Sequence, residues 1–283
     1  MKPSSLLFLI ISLFSVQTLA NDRFKDVQIK VQHINENVYV LYGAGGNIGV
    51  LVGTEGTLLI DDQFEPLAPK IEKALINVTK QKQKIKYVVN THYHGDHTGS
   101  NNYFAKSASI LAHENVRKRM SVKSKDSGLP VITYEDGIKL HLNQERIHVK
   151  HLAAGHTDGD SVVYFEKANV WHFGDLFFES RFPYIDVKSG GSIEGYITNL
   201  DALLEKVNDD AKIIPGHGKL TDKNGFKRFI EMIKSTKNII VEKKRSGMSK
   251  QQVIESGLGE QWKVWDWSFI TEQRWIETLY DNI

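Results

Sequence analysis

Thr91-His92-Tyr93-His94-Gly95-Asp96-His97 packs three imidazoles and one carboxylate into the six positions from His92 to His97. The residues before it, Ile85-Lys86-Tyr87-Val88-Val89-Asn90, form a short apolar, β-branched run ending on a polar side chain, the pattern of a buried strand. The residues after it, Thr98-Gly99-Ser100-Asn101-Asn102, can open a helix. The motif therefore belongs on a strand-to-helix loop, where rigid scaffolds commonly carry sites. Side chains on an extended strand end alternate with period two, so His92 and His94 point the same way. Both rings can then meet one metal ion while Asp96 and His97 pass beyond it toward a second. The competing reading is a polar surface turn. The density of donors argues against it, because such a set is costly to hold together without a cation.

Three more candidates share one context: His156, Asp175 and His217 each follow a predicted strand and stand beside glycine, which lets the backbone turn tightly toward a metal. Strand ends converging on one rim bring them to the first motif. The seven side chains then suit two metals. His92, His94 and His156 would hold one, Asp96, His97 and His217 the other, and Asp175 would bridge them. The chain has no cysteine, which removes disulfides, a thiolate nucleophile and sulfur ligands. Imidazole and carboxylate suit two Zn2+ ions best, with iron or manganese as alternatives.

The flanking sequence fits a layered α/β (α+β) domain. Val27–Tyr42 reads as two strands broken near Asn35, and Ile48–Val52 and Thr57–Ile60 as two more. Gly43-Ala44-Gly45-Gly46-Asn47 reads equally well as a hairpin turn and as a loop lining the site. Pro66–Asn77 has helical spacing. Arg117–Ser127 is polar and lysine-rich, which predicts an exposed loop, with a flap over the site as the alternative. Ser192 caps a helix bearing Tyr196, Leu200, Leu203, Leu204 and Val207 on one face. Phe226–Ile240 marks a long amphipathic helix, and Ser249 with Gln252 forms a capping box. Trp262, Trp265, Trp267, Trp275 and Tyr280 read as core packing around a last helix. Strands then helices in each half suit two sheets face to face with helices outside.

The 283 residues are 41% hydrophobic and 25% charged, with a net charge of +2. That is ample for a sizeable core, and it gives no reason to expect nucleic acid or an anionic membrane as partner. Residues 1–20 read as a secretory signal: Lys2, an apolar run from Leu6 to Val16, then Thr18-Leu19-Ala20 at the cleavage site. The run is too short for a span, which needs about 20 residues. The expected product is a single domain, residues 21–283, exported and periplasmic, without stable membrane insertion.

The assembled pattern resembles the metallo-β-lactamase superfamily. Its HxHxDH motif corresponds to His92, His94, Asp96 and His97, and its later ligands to His156, Asp175 and His217. Its aspartate after an early strand corresponds to Asp61, which the resemblance casts as support for the metal loop. The resemblance covers residues 36–218 and implies a four-layer αββα sandwich with the site on one edge. The ligand set predicts a metal-bridging hydroxide attacking a carbonyl, with Asp96 as the catalytic group that orients it. Authentic β-lactamases of the family typically carry cysteine, serine or another residue where this chain has Asp175, whereas glyoxalase II, lactonases and other hydrolases of the superfamily carry the aspartate. The expected activity is therefore hydrolysis of a small ester, lactone or amide. The alternatives are a β-lactamase acting on β-lactam antibiotics and a non-catalytic metal-binding accessory protein. His33, His141, His148, His151 and His172 are read as structural. His113 is a weaker candidate beside the site, Asp158 and Asp160 are supports for the His156 loop, and Asp62 is a surface neighbour of Asp61.

Overall fold

A computed structural model describes residues 23–82, 84–122 and 128–283. The signal sequence expected at 1–20 lies outside these residues.

Seven strands form the first sheet in chain order: β1 Lys30–Asn35, β2 Val38–Tyr42, β3 Ile48–Leu51, β4 Thr57–Ile60, β5 Ile85–Val89, β6 Ser109–His113 and β7 Ile132–Tyr134. Antiparallel pairing runs from β1 to β4, and parallel pairing from β4 to β7. The parallel steps need crossovers. Helix α1, Ala68–Thr79, supplies the first. The second sheet has the order β13-β12-β11-β10-β9-β8. It comprises β8 Gly137–Leu142, β9 Glu145–His151, β10 Ser161–Phe165, β11 Val170–His172, β12 Lys212–Ile214 and β13 Thr221–Asp222. All its pairs are antiparallel except β11 with β12.

Alternation along the strands decides the layers. Leu58 and Ile60 of β4 point inward, with Val89 and Leu111, onto Val149, Val163 and Ile214 of the second sheet. Leu59 and Val88 point outward onto Ile71 and Leu75 of α1. The outer face of the second sheet is covered by α3 Ile193–Lys206, α4 Lys223–Arg245 and α6 Glu272–Asn282, through Tyr196, Leu200, Phe229, Ile233 and Trp275. The architecture is the four-layer αββα sandwich.

Local signals act where expected. The Ser192 hydroxyl accepts from Gly195 N at the start of α3. Ser249 and Gln252 close a full capping box on α5, Lys250–Ser256. One expectation needs correction. Arg117–Ser121 is not loop but the second half of helix α2, Glu114–Ser121. The imidazole of His113 caps this helix by accepting from Asn115 N at 3.2 Å, a cap that residue preferences do not announce. Residues 123–127 lie outside the described residues, so the flap reading falls there. Among the described residues no helix is long and apolar enough to cross a membrane.

Candidate metal centre

The site is built where β4, β5, β11 and β12 run out on one rim. The end of β4 delivers Asp61. The turn after β5 delivers His92 to His97. The turn after β11 delivers Asp175, and Pro215-Gly216-His217 follows β12. His156 comes from the middle of the β9–β10 loop rather than from a strand end. The loop is shaped by Asp160, whose carboxylate accepts from both the backbone N and the hydroxyl of Thr157. Burial holds that carboxyl up at about 7 despite these bonds. Asp158 anchors the same loop from outside, through a two-point pair with Arg119 of α2 at 2.6 Å.

Two groups of donor atoms result, each within 4.8 Å internally: His92, His94, His156 and Asp175 in one, Asp96, His97 and His217 in the other. Asp175 stands between them. Its Oδ2 faces His92 Nε2 at 3.7 Å and His156 Nε2 at 3.5 Å. Its Oδ1 faces His97 Nε2 at 3.2 Å and His217 Nε2 at 3.3 Å.

The outer nitrogens of four rings are already engaged, which fixes what the inner ones present. His156 Nδ1 donates to Tyr184 O at 2.7 Å, and His94 Nε2 to Asp186 Oδ2 at 3.0 Å. His97 Nδ1 donates to Asp61 Oδ2 at 2.8 Å. The Thr91 hydroxyl donates to the same Asp61 oxygen, so it accepts from His92 Nδ1 at 3.1 Å. The inner nitrogens of neutral His92, His94 and His156 therefore carry lone pairs, and that of His97 offers one once a cation replaces its second proton. Yet His94 Nδ1 lies only 2.9 Å from His156 Nε2 and 3.1 Å from His92 Nε2. Lone pairs at that separation repel unless a cation sits among them. The residues fit a divalent cation in each group.

Electrostatics agree. Burial depresses His156 to about 3 and drives His92 well below its ordinary value, keeping both neutral as ligation requires. Burial alone would also depress His97, but the charges of Asp175, Asp96 and Asp61 hold it well above the usual range. Burial would raise Asp175, yet the neighbouring His97, His217 and His92 keep it ionised. The second group thus attracts positive charge, which a metal supplies in place of a proton.

Two glycines make the approach geometrically feasible. A Cβ on Gly46 would lie 2.1 Å from His97 Cε1, and one on Gly216 2.1 Å from Asp175 Oδ1. Gly43–Asn47 is accordingly both readings at once: the β2–β3 turn and a wall of the site. Asn47 Nδ2 ties it to the His217 turn through Pro215 O and Gly218 O.

Other residues stand elsewhere. Asp62 is not a surface neighbour: it is fully buried, and its Oδ1 accepts from Ser100 N, pinning the helix turn behind the motif. His113 stacks on His151 with centroids 3.6 Å apart, away from both groups. His172 is buried and donor-matched to Asn47 O, and His148 pairs with Glu166. His33 contacts Glu36 O. Among the described residues none of these histidines, nor His141, joins a metal-type group. The C-terminal aromatics are only partly core. Trp275 is buried, but Trp267 lines the cleft, together with Phe269.

Sequence reasoning assigned no role to Asp186, which orients His94 and accepts from Tyr93 OH at 2.7 Å. Burial would raise its carboxyl, but the bonds from His94, Tyr93 and Ser189 hold it below the usual carboxylate range. It comes from 92 positions downstream of His94, and no local pattern marks it. Thr91 was visible as the residue before the motif.

Comparison with known proteins bears on the same region. The family model described as "Metallo-beta-lactamase superfamily" matches residues 41–217. A metallo-beta-lactamase type 2 from Bacillus sp. (strain 170) is 22% identical over 216 residues, covering 73% of this chain and 82% of that protein. Metallo-beta-lactamase IND-1 from Chryseobacterium indologenes is 25% identical over 223 residues, covering 75% and 91%. The crystal structure of DIM-1 metallo-beta-lactamase superposes with a TM-score of 0.64 at 18% identity, covering 74% of this chain and 99% of that one. The matched span runs through every strand that feeds the rim and ends on His217, the last of the converging side chains. On fold, on donor set and on sequence, the chain belongs to the metallo-beta-lactamase superfamily of metal-dependent hydrolases.

Proposed function

We propose that this protein is an exported dizinc hydrolase acting on a small ester, lactone or amide. The observation that carries the reading is the set of four imidazoles whose outer nitrogens are all engaged, with lone pairs converging beside a carboxylate that faces both groups. His92, His94 and His156 would hold one ion, Asp96, His97 and His217 the other, and Asp175 would touch both. All-nitrogen and oxygen donors of this kind favour zinc. Bound there, the ions supply an acidified water and positive charge for a developing oxyanion. The protein's own part is orientation. Asp96 is the least covered of the two carboxylates, with 27% of its side chain exposed, and its Oδ2 lies 3.4 Å from His217 Nε2. It is suited to hold the attacking water and pass its proton to the leaving group. Residues 1–20 would direct export, and 21–283 would be the mature domain.

A second reading, a β-lactamase, draws on the similarity to the metallo-beta-lactamases from Bacillus and Chryseobacterium. The test uses purified, zinc-loaded mature chain with lactones, esters, thioesters and a cephalosporin. Turnover that vanishes on chelation and returns with zinc supports the hydrolase; enzyme-like cephalosporin opening selects the second reading. A fully loaded chain that turns over nothing would leave a metal-binding accessory protein.

A further inference from the structure

The cleft in front of the metal-type groups has a volume of about 730 Å³. One wall comes from a segment beyond residues 41–217, the span the family model matches. This strap, Asp266 to Thr271, runs between a 3₁₀ turn at Glu260–Trp265 and helix α6. It is fastened at both ends. Phe182 N donates to Trp265 O at 2.8 Å, and Trp267 Nε1 donates back to Phe182 O at 2.9 Å. Trp267 N donates to the carbonyl of buried Ile270, and Arg274 holds Phe269 O at 2.8 Å.

The strap places two large rings at the mouth. Trp267 lies 6.0 Å from the His217 ring and 6.2 Å from Phe178. Phe269 meets Trp267 and Tyr184 edge to face, each at 5.5 Å. Tyr184 in turn lies 5.8 Å from His94. The rings therefore continue directly from ligand candidates of both groups. Phe269 is 47% exposed, an apolar cost that core packing does not explain. An aromatic cluster of this shape commonly receives either a flat apolar group or a quaternary cation. Here the cation's place is taken. The Arg181 guanidinium stacks 4.9 Å over Trp267, and that of Arg274 4.6 Å over Phe269 and 5.3 Å over Tyr184. A third positive charge against the same rings would be repelled.

We propose that the strap makes this cleft selective for hydrolysable substrates with a flat, apolar, non-cationic group, such as an aryl ring, next to the reacting carbonyl. The inference rests on the hydrolase reading above. For an aryl ester the overall reaction consumes one water, breaks the acyl C–O bond, and releases the carboxylic acid and the phenol, which takes the proton. Stacking on Trp267 and Phe269 would hold the ring while the carbonyl lies over the metal-type groups.

The test compares zinc-loaded wild-type chain with Trp267→Ala and Phe269→Ala on 1-naphthyl acetate, ethyl acetate and acetylcholine. Taking each variant against wild type cancels the different intrinsic reactivities of the esters. The expected result is a loss in kcat/KM on 1-naphthyl acetate about 10-fold greater than on either alkyl ester. Equal losses on all three, or a loss confined to acetylcholine, overturns the proposal. Because Phe269 is exposed, its variant is informative even if Trp267→Ala fails to fold. If the fully loaded chain hydrolyses none of the three, the hydrolase reading is in question and equilibrium binding of 2-naphthamide decides the subsite separately. Binding weakened at least about 10-fold in Phe269→Ala upholds it; no binding to wild type, or equal affinity in both, overturns it.

Discussion

Asp61 sets the tautomers of two histidines, one in each metal-type group, so a single isosteric change at Asp61 should damage both. Its Oδ1 accepts from Thr91 N at 2.8 Å, and its Oδ2 accepts at 2.8 Å from the Thr91 hydroxyl and from His97 Nδ1. In Asp61→Asn the amide nitrogen takes the place of Oδ2. It would then donate to His97 Nδ1, which moves the ring proton to Nε2 and aims it at Asp175. The Thr91 hydroxyl, no longer offered an acceptor, would turn to donate to His92 Nδ1, with the same effect there. The reverse amide orientation places NH2 against Thr91 N, a buried donor without a partner, costing about 1–3 kcal/mol. Backbone strain does not confuse the result. Asp61 has φ 65°, and asparagine adopts that left-handed conformation as readily as aspartate. Loss of an outer hydrogen bond of this type weakens a metal about 10- to 100-fold, or about 1.4–2.7 kcal/mol per site. Competition with a chromophoric chelator gives both zinc affinities, and circular dichroism checks the fold. A folded Asp61→Asn chain whose two affinities both stay within about twofold of wild type would refute the tautomer argument.

Three further predictions follow from the geometry. Asp96→Asn should lower turnover far more than zinc content, measured on the same samples; parallel loss of both would make Asp96 a ligand only. Asp175→Ala removes the carboxylate that faces both groups, so metal analysis should show one of the two sites emptied or weakened, and unchanged stoichiometry and affinity would rule out the bridge. His113 is depressed to about 4, first by burial and then by stacked His151, so the fold favours its neutral form. Stability should therefore fall as pH drops from about 6.5 through that value, because the unfolded chain binds the proton more tightly. His113→Asn keeps a good helix cap and should move the acid-unfolding midpoint to lower pH; an unmoved midpoint would contradict the assignment.

The layers and the donor set were legible because each depends on short-range pattern. The short apolar run Thr57–Ile60 marks a strand buried on both faces, and HxHxDH places four donors within six positions. What escaped depends on contacts across long stretches. Asp62 reads as a polar residue at a strand end, and only the returning turn at Ser100 buries it. Asp186 acquires its role from a loop that folds over Tyr93 and His94. The strap looked like core because tryptophans cluster around it, and Trp275 is indeed core. The Trp275 indole donates to Thr236 in the interior, whereas that of Trp267 is held at the cleft by the carbonyl of Phe182. Arg117–Ser121 is helical although its charges suggested a loop, because Val116 packs into the interior and His113 caps the turn.

The central claim is that two cations share this rim across Asp175. Anomalous diffraction at the zinc edge from crystals of the zinc-loaded mature chain tests it directly. The account predicts two peaks per chain, one among His92, His94 and His156, the other among Asp96, His97 and His217, with the Asp175 carboxylate between them. A single peak, or a second peak bound away from Asp175, would contradict it.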